Sequence, residues 1–135
     1  MRKLGVDFGD ARIGLAISDP LGMFASGLET YHRKNLSADL QYLKNLIKER
    51  EVDTLIVGLP LNMDGTEGNR VEKTKEFCQE LLKICDVKIE YSDERLTTVE
   101  AEKMLISADV RREDRKKVID KVAATLILQN YLNRK

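Results

Sequence analysis

One histidine, His32, and two cysteines, Cys78 and Cys85, are all the imidazole and thiolate this 135-residue chain contains. Too few to assemble a Cys/His zinc centre, they leave any metal site to oxygen ligands. The two cysteines are seven residues apart in a segment that reads as a helix. At 1.5 Å of rise per residue that is about 10 Å, beyond the roughly 7 Å a disulfide spans, so they are expected as small core residues. His32 sits in the polar connection Tyr31-His32-Arg33-Lys34 and is expected at the surface. Only two prolines occur and no Gly/Ser-rich stretch, which argues against long disordered segments. No run approaches the roughly 18 apolar residues of a membrane span, and the opening MRKLGVDFGD meets an acid too early for a leader, so a cytoplasmic setting away from the membrane is expected. The three phenylalanines and four tyrosines form no spaced stacking platform for bases. An excess of either charge is also missing: 23 basic residues balance 23 acidic ones, so attraction of a polyanion must come from local patches.

What is present is sufficient for one core. A chain of this length buries about two thirds of its unfolded surface, and residues 1–135 are expected to form a single domain. Residues 3–8 and 13–18 are short β-prone runs joined by Gly9 to Arg12, a connection of hairpin length. A third strand is expected around 24–31, interrupted by Gly27. Leu40, Leu43, Leu46 and Ile47 recur at helical spacing over 37–50, with Ser37 as the expected N-cap. The continuous apolar run Thr54 to Val57 reads as a strand covered on both faces. A second helix follows, with Val71, Thr74, Phe77, Cys78, Leu81, Leu82 and Cys85 inward, then a strand over 87–91. Thr97 with Glu100 fits a capping box for a short third helix carrying Val99, Met104, Leu105 and Ile106. A polar stretch from Asp109 to Lys117 precedes a last helix to about Asn133, with Val118, Val122, Leu126 and Leu132 among its apolar positions. An antiparallel unit followed by βαβ crossovers makes a mixed five-stranded α/β sheet, three antiparallel strands and then two parallel, flanked by helices. Right-handed crossovers bring the later strands beside the first.

Three acids stand where acids are costly or where ligands collect. Asp7 interrupts the apolar strand Gly5-Val6-Asp7-Phe8, where a lone carboxylate requires a partner or a metal. It also suits a strand-end acid that caps the following turn or pairs with Arg12. Asp120 shares a helical stripe with Ala123, Ala124, Ile127 and Tyr131 and so faces partly inward. Its alternative is a pairing with Lys116 or Lys117 near the helix start. Asp93, Glu94 and Arg95 directly follow a strand, the position at which open α/β sheets collect ligands, although a surface ion-pair cluster reads the same way. If the crossovers bring these acids together, an all-oxygen set favours Mg2+ or Mn2+. Two ions about 4 Å apart can activate water and stabilise the leaving oxygen at phosphorus.

Basic and loop residues add a second layer. Gly58 to Gly65 holds two glycines, Pro60 and Asn62, a loop whose N–H groups suit a phosphate or simply shape a turn. Arg12, Arg70, Arg95, Arg111, Arg112, Arg115, Lys116 and Lys117 are candidate phosphate contacts, and Glu113 and Asp114 dilute the late run.

The segments VDFGDARIGLAISD, VGLPLNMDGTEGNR, DERLTTVEAEKML and IDKVAATLILQNYL resemble the four signature blocks of the YqgF family, also called RuvX, and they span the chain from first strand to last helix. The resemblance implies a ribonuclease H-like fold related to the RuvC resolvases and an acidic site for Mg2+ or Mn2+. It implies a nuclease acting on nucleic acid, either precursor ribosomal RNA at the 5′ end of its small-subunit part or branched DNA. Carried over by position, the catalytic and metal-binding acids are Asp7, Glu94 and Asp120. The Gly-Asp-Ala-Arg turn after Asp7 departs from the Gly-Thr or Gly-Ser of many relatives of the fold, which lets Asp10 add charge or merely close the turn. Resolving a four-way junction takes two cuts related by symmetry and predicts a homodimer, whereas trimming an RNA end needs only a monomer. Two other readings stay open. Asp7-Phe8-Gly9-Asp10 also resembles the phosphate loop of the actin, sugar kinase and chaperone ATPases, which hold nucleotide between two lobes where this chain has length for one. A non-catalytic module that binds ribosome precursors is the other.

Overall fold

The computed structural model describes residues 1–59, 64–93 and 97–134, and of residues 97–100, 102, 112, 113, 116 and 117 it describes the backbone. Strand β1 (Arg2–Phe8) pairs antiparallel with β2 (Arg12–Ser18), and β2 pairs antiparallel with β3 (Ala25–His32). After helix α1 (Leu36–Glu49), strand β4 (Val52–Leu59) returns parallel to β1. After helix α2 (Asn69–Ile84), strand β5 (Lys88–Asp93) lies parallel to β4. The sheet order is β3-β2-β1-β4-β5, so the first strand is central and both crossovers land on one side of it, as expected. Helices α3 (Thr97–Ser107) and α4 (Arg112–Asn133) complete the chain.

Strand alternation divides the core in two. Leu4, Val6, Phe8, Ile13, Leu15, Leu55 and Val57 point to one face and pack with Leu40, Leu43, Leu46 and Ile47 of α1 and Phe77, Cys78 and Leu81 of α2. Ala16 and Ile56 point to the other face, under Ala124, Ile127, Leu128, Tyr131 and Leu132 of α4. The second face is sparse in side chains because α4 lies almost on the sheet backbone. A Cβ added to Gly5 would come within 2.7 Å of Leu128 Cβ and 2.8 Å of the Ala124 carbonyl oxygen.

Several local expectations change. The N-cap of α1 is Asn35, whose side chain accepts from the Ala38 N–H, so Ser37 lies inside the first turn. Leu82 is exposed because it follows the fully buried Leu81, and consecutive helical residues point about 100° apart. Met104 and Ile106 are exposed for the same reason beside the buried Leu105. Helix α4 begins at Arg112 and absorbs most of the polar stretch, whose Arg, Glu and Lys are good helix formers. Strand β3 runs through Gly27 by way of a register shift opposite Leu15 and Ala16. Cys78 is buried, Cys85 half-buried, and both are free thiols, while His32 is exposed, as expected. Among the described residues no helix is long and apolar enough to cross a membrane.

Candidate active site

Asp7 is the last but one residue of β1 and lies two residues after Gly5, so both point to the α4 face. Its cross-strand partner on β2 is Gly14. That glycine is the reason α4 can come so near: a Cβ there would lie 2.0 Å from the Asp120 carbonyl oxygen and 2.9 Å from Asp120 Cβ. Strand pairing and close helix approach thus bring two acids, 113 residues apart in the chain, to one end of the sheet.

Their electrostatics register the approach. Burial, then the charge of Asp120, push the Asp7 carboxyl up to about 6, with Arg70 pulling the other way. Arg12 Nε stands 3.0 Å from Asp120 Oδ2. Among the described residues, however, no well-directed hydrogen bond reaches that buried oxygen. An under-coordinated carboxylate oxygen next to a second carboxylate of raised affinity for protons is a donor set suited to a hard cation. Among the described residues no group of three or more His, Cys, Asp or Glu is close enough to hold a metal. The third expected acid, Glu94, lies outside the described residues. Asp93 before it closes β5, level with Leu59 at the end of β4. Val6, Val57 and Tyr91 form one row across β1, β4 and β5, so the carboxyl ends of all three parallel strands meet at this edge.

The basic residues divide. Arg12 engages Asp120, in place of the expected pairing with Asp7. Arg70 Nη1 lies 3.9 Å from Asp10 Oδ2, and Lys73 Nζ 3.9 Å from Asp10 Oδ1, both through exposed groups. Asp10 therefore faces the start of α2. Arg111 is exposed and its Nε is 3.3 Å from Asp114 Oδ2. Arg115 turns toward its own helix start, with Nη1 donating to the Val110 carbonyl at 3.1 Å. Asn62 and Arg95 lie outside the described residues, as do the side chains of Arg112, Lys116 and Lys117. The pairing of Asp120 with those lysines likewise falls outside what is described.

Asp39 and its partner Arg33 escape a reading by motif. Asp39, fully buried in the first turn of α1, accepts hydrogen bonds from Tyr31 Oη at 2.9 Å, Arg33 Nε at 2.9 Å and the Lys34 N–H at 3.0 Å. Burial alone would raise its carboxyl, and these donors outweigh it and hold the group below the usual carboxylate range. The available signal was position: Asp39 shares a stripe with Leu43 and Leu46, four and seven residues on.

The family model described as "RuvX: Holliday junction resolvase" matches residues 1–134. A protein of Halothermothrix orenii named "Putative pre-16S rRNA nuclease" is 56% identical over 98% of this chain and 95% of its own length. One of the same name from Carboxydothermus hydrogenoformans is 52% identical over 100% of this chain and 98% of its own. Among solved structures, the fowlpox virus resolvase in complex with Holliday junction DNA superposes with a TM-score of 0.60 at 12% identity, covering 99% of this chain and 98% of that one. RuvC of T. thermophilus in complex with a Holliday junction substrate gives 0.59 at 11% identity, covering 99% and 95%. At those identities the likeness is one of fold, the ribonuclease H-like arrangement expected above.

Proposed function

The chain belongs to the RuvX family, and we propose from this that it is a metal-dependent nuclease that hydrolyses nucleic-acid phosphodiesters, with the 5′ end of precursor 16S ribosomal RNA as its substrate. The observation that carries the reading is the convergence of Asp7 and Asp120 at the carboxyl edge of the parallel strands, with one buried oxygen of Asp120 short of hydrogen bonds. The close relatives named for precursor 16S RNA support the choice of substrate. In this reading the protein works in the cytoplasm.

Asp7, Glu94 and Asp120 are the residues that would hold Mg2+ or Mn2+. Such an ion would supply Lewis-acid chemistry there, activating water at neutral pH and offsetting charge on a leaving oxygen. The chain's own groups prepare that arrangement. Gly14 seats α4 on β2 and so fixes the separation of the two aspartates. Arg12 orients the Asp120 carboxylate from one side. Arg70, near enough to Asp7 to lower its proton affinity, brings positive charge to the place where a phosphate would approach. Asn62, Arg95, Arg111, Arg112, Arg115 and Lys116 are the further phosphate contacts in this reading.

A second reading, resolution of Holliday junctions, rests on the description of the family model. It requires a homodimer, because two strands are cut symmetrically. The deciding experiment incubates purified protein and its Asp7→Asn variant with Mn2+ or Mg2+ on a precursor RNA and on a four-way DNA junction. Cleavage of the RNA by the parent alone supports the proposal. Cleavage of only the junction supports the second reading, and equal cleavage by both proteins defeats each.

A further inference from the structure

The turn that follows Asp7 is three residues long, Gly9 to Ala11, and it joins the strand bearing Asp7 to the strand beginning at Arg12. Its internal closure is one backbone bond, from the Gly9 N–H to the Arg12 carbonyl at 2.9 Å. Beyond it, the exposed Asp10 side chain has loose ion pairs at 3.9 Å with Arg70 and Lys73, and among the described residues the hydrogen bonds that reach the turn backbone from outside come from Arg33. The Arg33 backbone N–H donates to the Ala11 carbonyl at 2.9 Å, and its Nη1 donates to the Gly9 carbonyl at 3.1 Å and reaches that of Asp10 at 3.5 Å. The guanidinium is itself immobilised. Its Nε is bound to the buried Asp39, and its plane lies over the ring of Phe8, 4.6 Å from the centroid, with Phe77 at 5.5 Å.

We propose that Arg33, locked by Asp39, is a positioning residue that holds the Gly9–Ala11 turn, and thereby the Asp7 and Arg12 side chains on either side of it, in the geometry the cleavage site requires. The inference rests on the nuclease reading for its consequence and on the hydrogen bonds alone for its mechanism. A buried ion pair is weak evidence of added stability, because desolvation offsets most of the attraction. This pair instead has a directional output: all five donor positions of the guanidinium fork are fixed in one plane, and one corner is aimed at the turn carbonyls. Lysine, whose donors all sit on one nitrogen, cannot reproduce the separate Nε contact to Asp39 and Nη1 contact to the Gly9 carbonyl. Groups that orient ligand-bearing segments typically cost 10- to 100-fold in metal affinity or activity when changed.

The test compares Arg33→Lys and Asp39→Asn with the parent and with Leu81→Ala, a core variant that lowers stability at a distance from the turn. Amide hydrogen exchange at Gly9, kcat and KM on the cleaved substrate, and Mn2+ affinity of the metal-free protein are measured. Both clamp variants are expected to exchange Gly9 at least about tenfold faster, lose about 10- to 100-fold in kcat with KM within about twofold, and bind Mn2+ more weakly. Leu81→Ala is expected to leave all of these near the parent despite its lower melting temperature. Unchanged exchange at Gly9, or a kcat loss no larger than that of Leu81→Ala, overturns the clamp. If the parent itself neither cleaves nor binds Mn2+, the nuclease reading fails, and the exchange rates still decide whether Arg33 holds the turn.

Discussion

Gly14 of β2 and Asp120 of α4 touch backbone to backbone, with no room for even a methyl group between them. Gly14→Ala must therefore push α4 off the sheet or distort β2. The expected result is a loss of about 1–3 kcal/mol in chemical denaturation, typical of overpacking. Activity should fall further than stability does, because the displaced element carries Asp120. A variant with full stability and full activity would mean that the helix does not lie where it is described.

The acidic pair also makes a statement about pH. The Asp7 carboxyl titrates at about 6 in the fold against 3.8 in an unstrained chain, so the folded state binds the proton more tightly than the unfolded one. Stability is then lost as pH rises from the unfolded value through the folded one and is not regained above it. The full cost is about 1–3 kcal/mol, since each pH unit separating the two values is worth roughly 1.4 kcal/mol. In EDTA at pH 8, Asp7→Asn should melt higher than the parent, and the two should converge below pH 4. A parent more stable than the variant at pH 8 would contradict the crowding of these acids.

Divalent cation should reverse that order. An ion that binds the folded state at a hundred times its dissociation constant stabilises by about 2.7 kcal/mol. Mn2+ is expected to raise the melting temperature of the parent and leave Asp7→Asn nearly unmoved. An equal rise in both, read by thermal denaturation across a Mn2+ series, would assign the effect to unrelated surface carboxylates.

Arg70 pairs loosely with Asp10 at 3.9 Å, and its charge also reaches Asp7. If it meets a substrate phosphate, Arg70→Gln should weaken nucleic-acid binding uniformly across sequences. It should also reduce the slope of log affinity against log salt by about 0.7–0.9, one counterion's worth. An unaltered slope would confine Arg70 to its pairing with Asp10.

The large elements were legible in the sequence because their periodicities are strong. The stripe Leu40, Leu43, Leu46 and Ile47 admits a helix with one inward face, and the short apolar runs around Asp7 and at Thr54 to Val57 read as strands, the latter covered on both faces. Asp120 was legible as an inward acid because its helical neighbours Ala124 and Ile127 are buried. The edges were not. Asn35 and Ser37 are both good caps, and only the backbone conformation chooses between them. Nor could periodicity separate Leu81 from Leu82, or show that charged residues from Arg112 onward already belong to the last helix. The coupling of Gly14 to Asp120 and of Arg33 to the Gly9 turn was silent for a different reason. Both depend on tertiary approach between segments far apart in sequence, and a glycine or an arginine carries no local mark of it.

The most direct test is a titration of metal-free protein with Mn2+, followed by the electron paramagnetic resonance of the unbound ion, for the parent and for Asp7→Asn, Glu94→Gln and Asp120→Asn. Tight binding by the parent and at least about tenfold weaker binding by each variant is the predicted result, in line with the loss of one ligand from a shared site. Equal Mn2+ affinity in all four proteins would contradict the proposal that these three carboxylates share one cation site.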